Sequence, residues 1–160
     1  AQYLIKNMAF PGRDRGCLQL AGAPTSFRKT GLTIGARTVA EYAQFRCFYE
    51  NPGYQFQIKF EDGSWGVLEI DKTLKKEGAE VNLVRNDIKS DNYIVHPQRF
   101  LIQKGGQIGK FGEYTAYFIR TMDGRYLRYD TDSKEVVLTN EPPAQYDKQH
   151  PDYKSYFWQF

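Results

Sequence analysis

Two cysteines and two histidines are all this 160-residue chain offers in thiol and imidazole chemistry. Cys17 and Cys47 cannot make the multi-bridge framework of a small secreted scaffold, and no Cys/His spacing suits zinc. They are left as one disulfide or as two buried thiols, since both lie inside apolar strand patterns. His96 and His150 each precede a proline, in "VHPQ" and "QHPDY", which holds the histidine extended and assembles no triad. No apolar run approaches the roughly 18 residues of a membrane span. No signal peptide is read. The missing initial Met fits a cleaved leader as well as simple trimming, so the compartment stays open, with secreted preferred to cytoplasmic. The net charge is only +3 and no basic block stands out. The nearest, Lys72, Lys75 and Lys76 beside Glu77, reads as a solvated loop, so nucleic acid is not an expected partner. Phosphate loops, metal motifs and dinucleotide fingerprints are all missing. The expectation is a protein without cofactor or metal, and not an enzyme.

What the chain does have is aromatics, 16% of residues with 12 Tyr and 11 Phe, which suit pleated, half-buried strands. Apolar residues alternate at period two over four to seven positions between Gly, Pro, Asn or Asp, and helical spacing is nearly absent. Val39 to Phe48 tempts a helix assignment but lacks a cap and leads into Pro52-Gly53. The final "KSYFWQF" places Tyr156, Trp158 and Phe160 at alternate positions, unlike a disordered tail.

Internal similarity is the stronger signal. "QYLIKNM", "FQIKFEDG" and "AYFIRTMDG" each set Ile before a basic residue (Ile5, Ile58, Ile119) and a turn. "GCLQLAG", "GVLEIDK" and "RYLRYDT" align Leu18, Leu68 and Leu127. "GLTIGA", "EVNLVR" and "EVVLTN" align Leu32/Ile34, Val81/Leu83 and Val136/Leu138. "AQFRCF", "QRFLIQ" and "YFWQF" align Phe45/Cys47, Phe100/Ile102 and Trp158/Phe160. Four strands recur three times in one order.

Over its whole length the chain therefore resembles the β-trefoil. The resemblance implies an all-β fold of twelve strands in three pseudo-repeats, approximately 1–50, 51–104 and 105–160, within a single domain spanning 1–160. Six strands would close a barrel and three hairpins would cap it. Trp158 and Phe160 fit the slot of the core-filling aromatic, so the last strand is expected to close on the first around Tyr3 to Ile5. Deleting the final seven residues is expected to unfold the domain. Cys47 then falls in the barrel, where a thiolate is disfavoured, which sets aside a Cys47–His96 nucleophile and base. Paired carboxylates such as Glu61-Asp62 and Asp130/Asp132 read as turn formers.

Sugar binding is the leading functional expectation that the resemblance implies. Ricin-B-like trefoil lectins carry a G-x-C-[LV]-D-[VI]-like strand and a closing Q-x-W or Q-x-F. "RGCLQLAG" echoes the strand with Gln19 in place of Asp, and repeat three has Arg128 there. Repeat two keeps an acidic "GVLEID", with Glu69 and Asp71, and closes on Gln98-Arg99-Phe100. Other glycan sites pair an aromatic face with planar polar groups. "RNDIKSDNYIVHPQ" offers Asn92 and Tyr93, and "NEPPAQYDKQHPDYKSY" offers Tyr146, Asp147 and His150. Trp65, in "EDGSWG", is a further candidate, read as part of a widened hairpin turn. The expected partner is a glycan or glycoprotein. The alternative is a protease, blocked by a preorganised loop as in Kunitz-type and mycocypin trefoils, with "FPGRDRG", Phe10 to Gly16, as the candidate. A further alternative is receptor or cytoskeletal binding, as in trefoil cytokines, heparin-binding growth factors and fascins; the scattered charge argues against a heparin patch unless folding gathers Lys104, Lys110, Arg120 and Arg125.

Overall fold

A computed structural model describes residues 2–21, 31–60, 62–70, 81–85, 97–105, 110–111, 114–143 and 151–160, with backbone alone for 81–85, 110–111, 114 and 151. The first stretch gives β1 (Gln2–Tyr3), β2 (Lys6–Asn7), β3 (Cys17–Leu20), β4 (Leu32–Gly35) and β5 (Phe45–Glu50). The second gives β6 (Gly53–Lys59), β7 (Trp65–Ile70), β8 (Val81–Arg85) and β9 (Phe100–Lys104). The third gives β10 (Lys110–Phe111), β11 (Tyr114–Thr115), β12 (Tyr117–Thr121), β13 (Tyr126–Asp130), β14 (Glu135–Thr139) and β15 (Trp158–Gln159). Helix is confined, among the described residues, to a 3-10 turn at Glu41–Ala43 and one turn of α-helix, α1, at Pro151–Lys154. The stretch that tempted a helix assignment divides between one 3-10 turn and the start of a strand: Ala40 caps the turn without a side-chain hydrogen bond, and β5 begins at Phe45.

All pairings are antiparallel, and the repeat order is visible in them. β3 pairs β4, β7 pairs β8 and β13 pairs β14, one hairpin per repeat. The remaining strands follow the path β1-β5-β6-β9-β12-β15-β2. That path is not closed into a barrel by hydrogen bonds. Its two ends, β1 and β2, are halves of one extended segment that splits at Leu4 and Ile5. β1 pairs with β5, while β2 pairs with β15 and β3. The Ile5 carbonyl between them accepts from the Leu18 N–H at 2.8 Å. The last strand therefore meets Lys6 and Asn7 (Trp158 opposite Asn7, Gln159 opposite Lys6) rather than Tyr3 to Ile5. β10 and β11 form a small separate hairpin in a region read from sequence as loop and strand lead-in.

The aligned apolar triples of the first, second and fourth strands land in one core. Ile5, Ile58 and Ile119 are buried, as are Leu18, Leu68 and Leu127, and Phe45, Phe100 and Trp158. Their second members, Cys47, Ile102 and Phe160, are half-buried against the same cluster. The three leucines join Phe56, Phe100 and Ile119 around an apolar void of about 10 Å³, too small and too apolar to hold a water. Three side chains some fifty residues apart reach one point because the repeats are related by an approximate threefold axis.

The terminal aromatics are used differently from simple alternation. Trp158 is fully buried in the main core and its indole N–H donates to Leu127 O at 2.9 Å. Phe157 and Tyr156 are also fully buried, in a second cluster with Ala116 and Tyr153. The chain turns just before them, with Tyr156 N–H bonded to Tyr153 O and Phe157 N–H to Lys154 O, so strand geometry begins only at Trp158.

The turn after the first strand of each repeat shows where symmetry fails. In repeats two and three it is the same Asp-Gly turn. Phe60 N–H bonds Ser64 O and Gly63 N–H bonds Phe60 O, while Thr121 N–H bonds Arg125 O and Gly124 N–H bonds Thr121 O. Gly63 and Gly124 have φ of 85° and 92°, a region glycine enters without Cβ strain. In repeat one the matching bond runs from Asn7 N–H to Gly16 O. It spans positions 7 to 16 where the others span 60 to 64 and 121 to 125, so this turn is five residues longer.

Candidate functional site

Among the residues that sequence singled out for sugar binding, the structure describes Glu69 and Gln98 and brings them together. Gln98 Nε2 donates to Glu69 Oε1 at 3.2 Å, and Gln98 is buried. Asp71, Asn92, Tyr93, Tyr146, Asp147 and His150 lie outside the described residues, as do Glu61, His96 and Lys72 to Glu77. The position after each axial leucine is polar in all three repeats and is tied each time to the segment returning towards the next long strand. Gln19 Nε2 donates to Ala36 O at 2.7 Å. Glu69 accepts from Gln98. Arg128 pairs with Asp152 at 3.6 Å and lies 5.1 Å from the Tyr156 ring centroid. These side chains hold strand to return loop within the fold.

Trp65 is the first residue of β7 rather than part of a widened turn. The Arg46 guanidinium lies 3.9 Å from its ring centroid, a cation–π contact, and also donates to Gln57 Oε1. Asp62 and Asp130 act as turn formers, accepting from the backbone N–H of Ser64 and Asp132. Arg125 pairs with Asp123 and Arg120 donates to Gly124 O while lying over Tyr126. These two guanidiniums are therefore engaged inside their own hairpin.

A broad concavity lies elsewhere, where repeat one meets the end of repeat three. It is an open cleft of about 810 Å³, within the range of small-ligand sites. One wall is the long turn of repeat one, with Phe10 to Arg13. Another is the 37–44 segment, and the floor is the seam of Tyr3, Lys6, Gln159 and Phe160. The turn is shaped by Asn7, whose side chain accepts from Ala9 N–H and donates to Ser155 O. Gly16 closes it: its φ is 84°, and a Cβ there would lie 2.7 Å from the Phe10 side chain. Phe10 is held from its other side by Tyr129, with ring centroids 4.9 Å apart. Asp14 O accepts from Arg37 N–H, which joins the turn to the opposite wall.

Besides Phe10, the rings of Tyr3 and Phe160 and three amides line this space. Tyr3 is 41% exposed and meets half-buried Phe160 edge-on at 6.4 Å. Gln2, Gln44 and Gln159 lie alongside. Gln2 Nε2 donates to Glu41 and Gln44 Nε2 to Thr38 O, so both amides are oriented. "FPGRDRG" was picked out in the sequence as an exposed loop, but nothing local says that it would face residues about 150 positions away.

Both cysteines are free thiols. Burial pushes Cys17 upward, with Arg37 and Lys6 drawing it back and Asp14 adding to the rise. Burial alone raises Cys47 to about 11. A thiol raised in the folded state stabilises the fold below its ordinary pKa near 9, and that contribution is lost as pH climbs through about 11. The melting temperature should therefore fall between pH 8.5 and 11, and Cys47→Ala should make the fall shallower. Scanning calorimetry across that range checks it, and an identical slope in the variant would contradict the assignment.

No protein-family model matches the chain, and no curated protein matches it in sequence. Solved structures do. A designed threefold-symmetric protein, ThreeFoil, superposes with a TM-score of 0.65 at 14% identity, covering 99% of this chain and 96% of its own. A salivary protein of Culex quiquefasciatus, from the Cysteine and Tryptophan-Rich family, superposes with a TM-score of 0.57 at 16% identity, covering 98% and 89%. At these identities the likeness speaks for the fold alone. With the threefold core and hairpins above, the fold is a β-trefoil. None of its described helices is long and apolar enough to cross a membrane.

Proposed function

We propose that this protein is a non-enzymatic binding module whose ligand is a carbohydrate. The observation that carries the reading is the cleft at the seam of repeats one and three, where the exposed face of Tyr3 lies beside Gln2, Gln44 and Gln159. A sugar presents an apolar ring side, which an aromatic covers, and hydroxyls, which planar amides bridge as donors and acceptors at once. The non-enzymatic part is supported by the thiols: buried and raised in pKa, they are poor nucleophiles at neutral pH. A glycan array probed at micromolar protein should show a defined set of bound saccharides. Tyr3→Ala should weaken binding about tenfold, matching the roughly 1–2 kcal/mol of a stacked ring. An array blank at that concentration would remove the reading.

The second reading, protease inhibition, draws on the long turn itself. Pro11 to Arg15 are all exposed, and the base is pinned by Asn7 and Gly16, so little entropy would be lost on docking. It stands if a panel of serine and cysteine proteases is inhibited by stoichiometric protein, and goes if all retain full activity in excess.

A further inference from the structure

The same cleft carries a charge pattern that narrows its ligand. Four of its lining residues are cations, Lys6, Arg13, Arg37 and Lys154, and no Asp or Glu side chain lines it among the described residues. The nearest acids stand at its margin: Asp14 beside Cys17 and Glu41 bonded to Gln2. Arg13 and Arg37 are exposed, and neither side chain has a hydrogen bond or ion pair among the described residues. Lys6 is half-buried and its ammonium donates to two neutral carbonyls, Phe10 O at 2.5 Å and Asn7 O at 3.2 Å. An ammonium has three donors, so one is left. Burial lowers the pKa of Lys6, with Cys17 acting the other way, the signature of a cation whose lost hydration is not offset by a counter-ion. Elsewhere the described buried arginines have their acids: Arg99 with Glu50, Arg125 with Asp123, Arg128 with Asp152. Cations gathered without acids, on a wall built by the turn that breaks threefold symmetry, mark a place arranged for an external anion.

Resting on the glycan reading, we propose that the cleft takes an acidic saccharide, with its carboxylate or sulfate held by Arg13, Arg37 and Lys6 and a sugar face against Tyr3. Guanidinium forks match both anions bidentately. The aromatic and amide floor favours a ring with hydroxyls over an acidic peptide, and a cleft walled by the long turn and the 37–44 segment, with four cations, favours a short ligand over a long nucleic-acid backbone.

Calorimetric titration of the full chain with matched pairs tests this. One pair is a sulfated heparin tetrasaccharide and its desulfated form, and the other is a hyaluronan tetrasaccharide and its methyl ester. Expected is at least tenfold tighter binding of the charged member of one pair, which also identifies the anion. Raising NaCl from 50 to 300 mM should weaken that binding severalfold. The Arg13→Gln/Arg37→Gln double variant, whose melt should match the parent because both side chains are exposed, should lose at least tenfold for the charged member. Equal binding of the two members in both pairs, one differing in sulfate and the other in carboxylate, would overturn this inference and leave the glycan reading standing. Binding of no saccharide, here and on the array, would overturn both. An oligoglutamate peptide bound as tightly as the best saccharide would also overturn it, as attraction of charge without recognition of a sugar.

Discussion

Trp158→Ala is expected to cost about 3–5 kcal/mol, the usual range for truncating a core aromatic. Two terms add. The first is the cavity, because the ring is fully buried among Phe45, Phe100 and the axial leucines, strands that cannot collapse inwards without breaking ladders elsewhere. The second is the Leu127 carbonyl, which loses the indole N–H that bonds it at 2.9 Å in a place water does not reach. For a chain of this size the melting temperature should drop by on the order of 10 °C. Trp158→Phe weights the terms differently, since it keeps one aromatic ring in the core and loses the N–H together with the smaller part of the indole. It should cost about 1–3 kcal/mol. Urea titrations of both variants with unchanged slope supply the comparison. If Trp158→Ala cost less than Trp158→Phe, the packing account would be wrong.

The second large effect sits on the axis. Leu18→Ala, Leu68→Ala and Leu127→Ala should each cost about 2–5 kcal/mol, because all three side chains border the same dry void and each truncation enlarges it. Their costs should resemble one another although the residues belong to different repeats. The pair Leu18→Ala/Leu68→Ala should depart from additivity, since one cavity is shared between neighbours. A single leucine that could be truncated at no cost would show that its repeat does not contribute to the common core. Substituting the void-lining Leu68 by Met, close in volume, should be tolerated at under about 1.5 kcal/mol.

These leucines also show why so much of the fold was legible. Ile before a basic residue, a Leu at the centre of the next strand and an aromatic two places before another apolar group are local patterns. A threefold arrangement makes each one appear three times, so weak signals reinforce. What was illegible is what joins distant segments. Arg99, a plain charged residue in sequence, is buried because its guanidinium reaches Glu50 O at 2.7 Å across the start of β6. Arg128, standing where a sugar-binding acid was sought, faces Asp152 on the α1 turn. The split of the first strand at Leu4 and Ile5 depends on which neighbours compete for its two halves, and no window of sequence contains them.

The candidate site divides the same way. Glu69 and Gln98 were named by motif as sugar-binding residues, and the structure shows them bonded to one another with Gln98 buried. The cleft was missed because its parts come from the two ends of the chain, and its signal was a length rather than a composition. Repeat one carries five more residues between its first two strands than repeats two and three. Aligning the three turns, instead of scanning them for lectin residues, would have pointed to Phe10, Pro11 and Arg13 as the insertion.

The ladder between β15 and β2 has a consequence for how a ribosome delivers this protein. Lys6 and Asn7 are synthesised about 150 residues before their partners Gln159 and Trp158. At ordinary translation speeds that delay is on the order of ten seconds. Throughout it the opening strand lacks the neighbour that covers one of its edges, while Ile5 and Leu18 lack the indole that seals the core above them. Vectorial synthesis thus leaves a sticky, half-assembled nascent chain until β15 arrives, and the cleft cannot form before it.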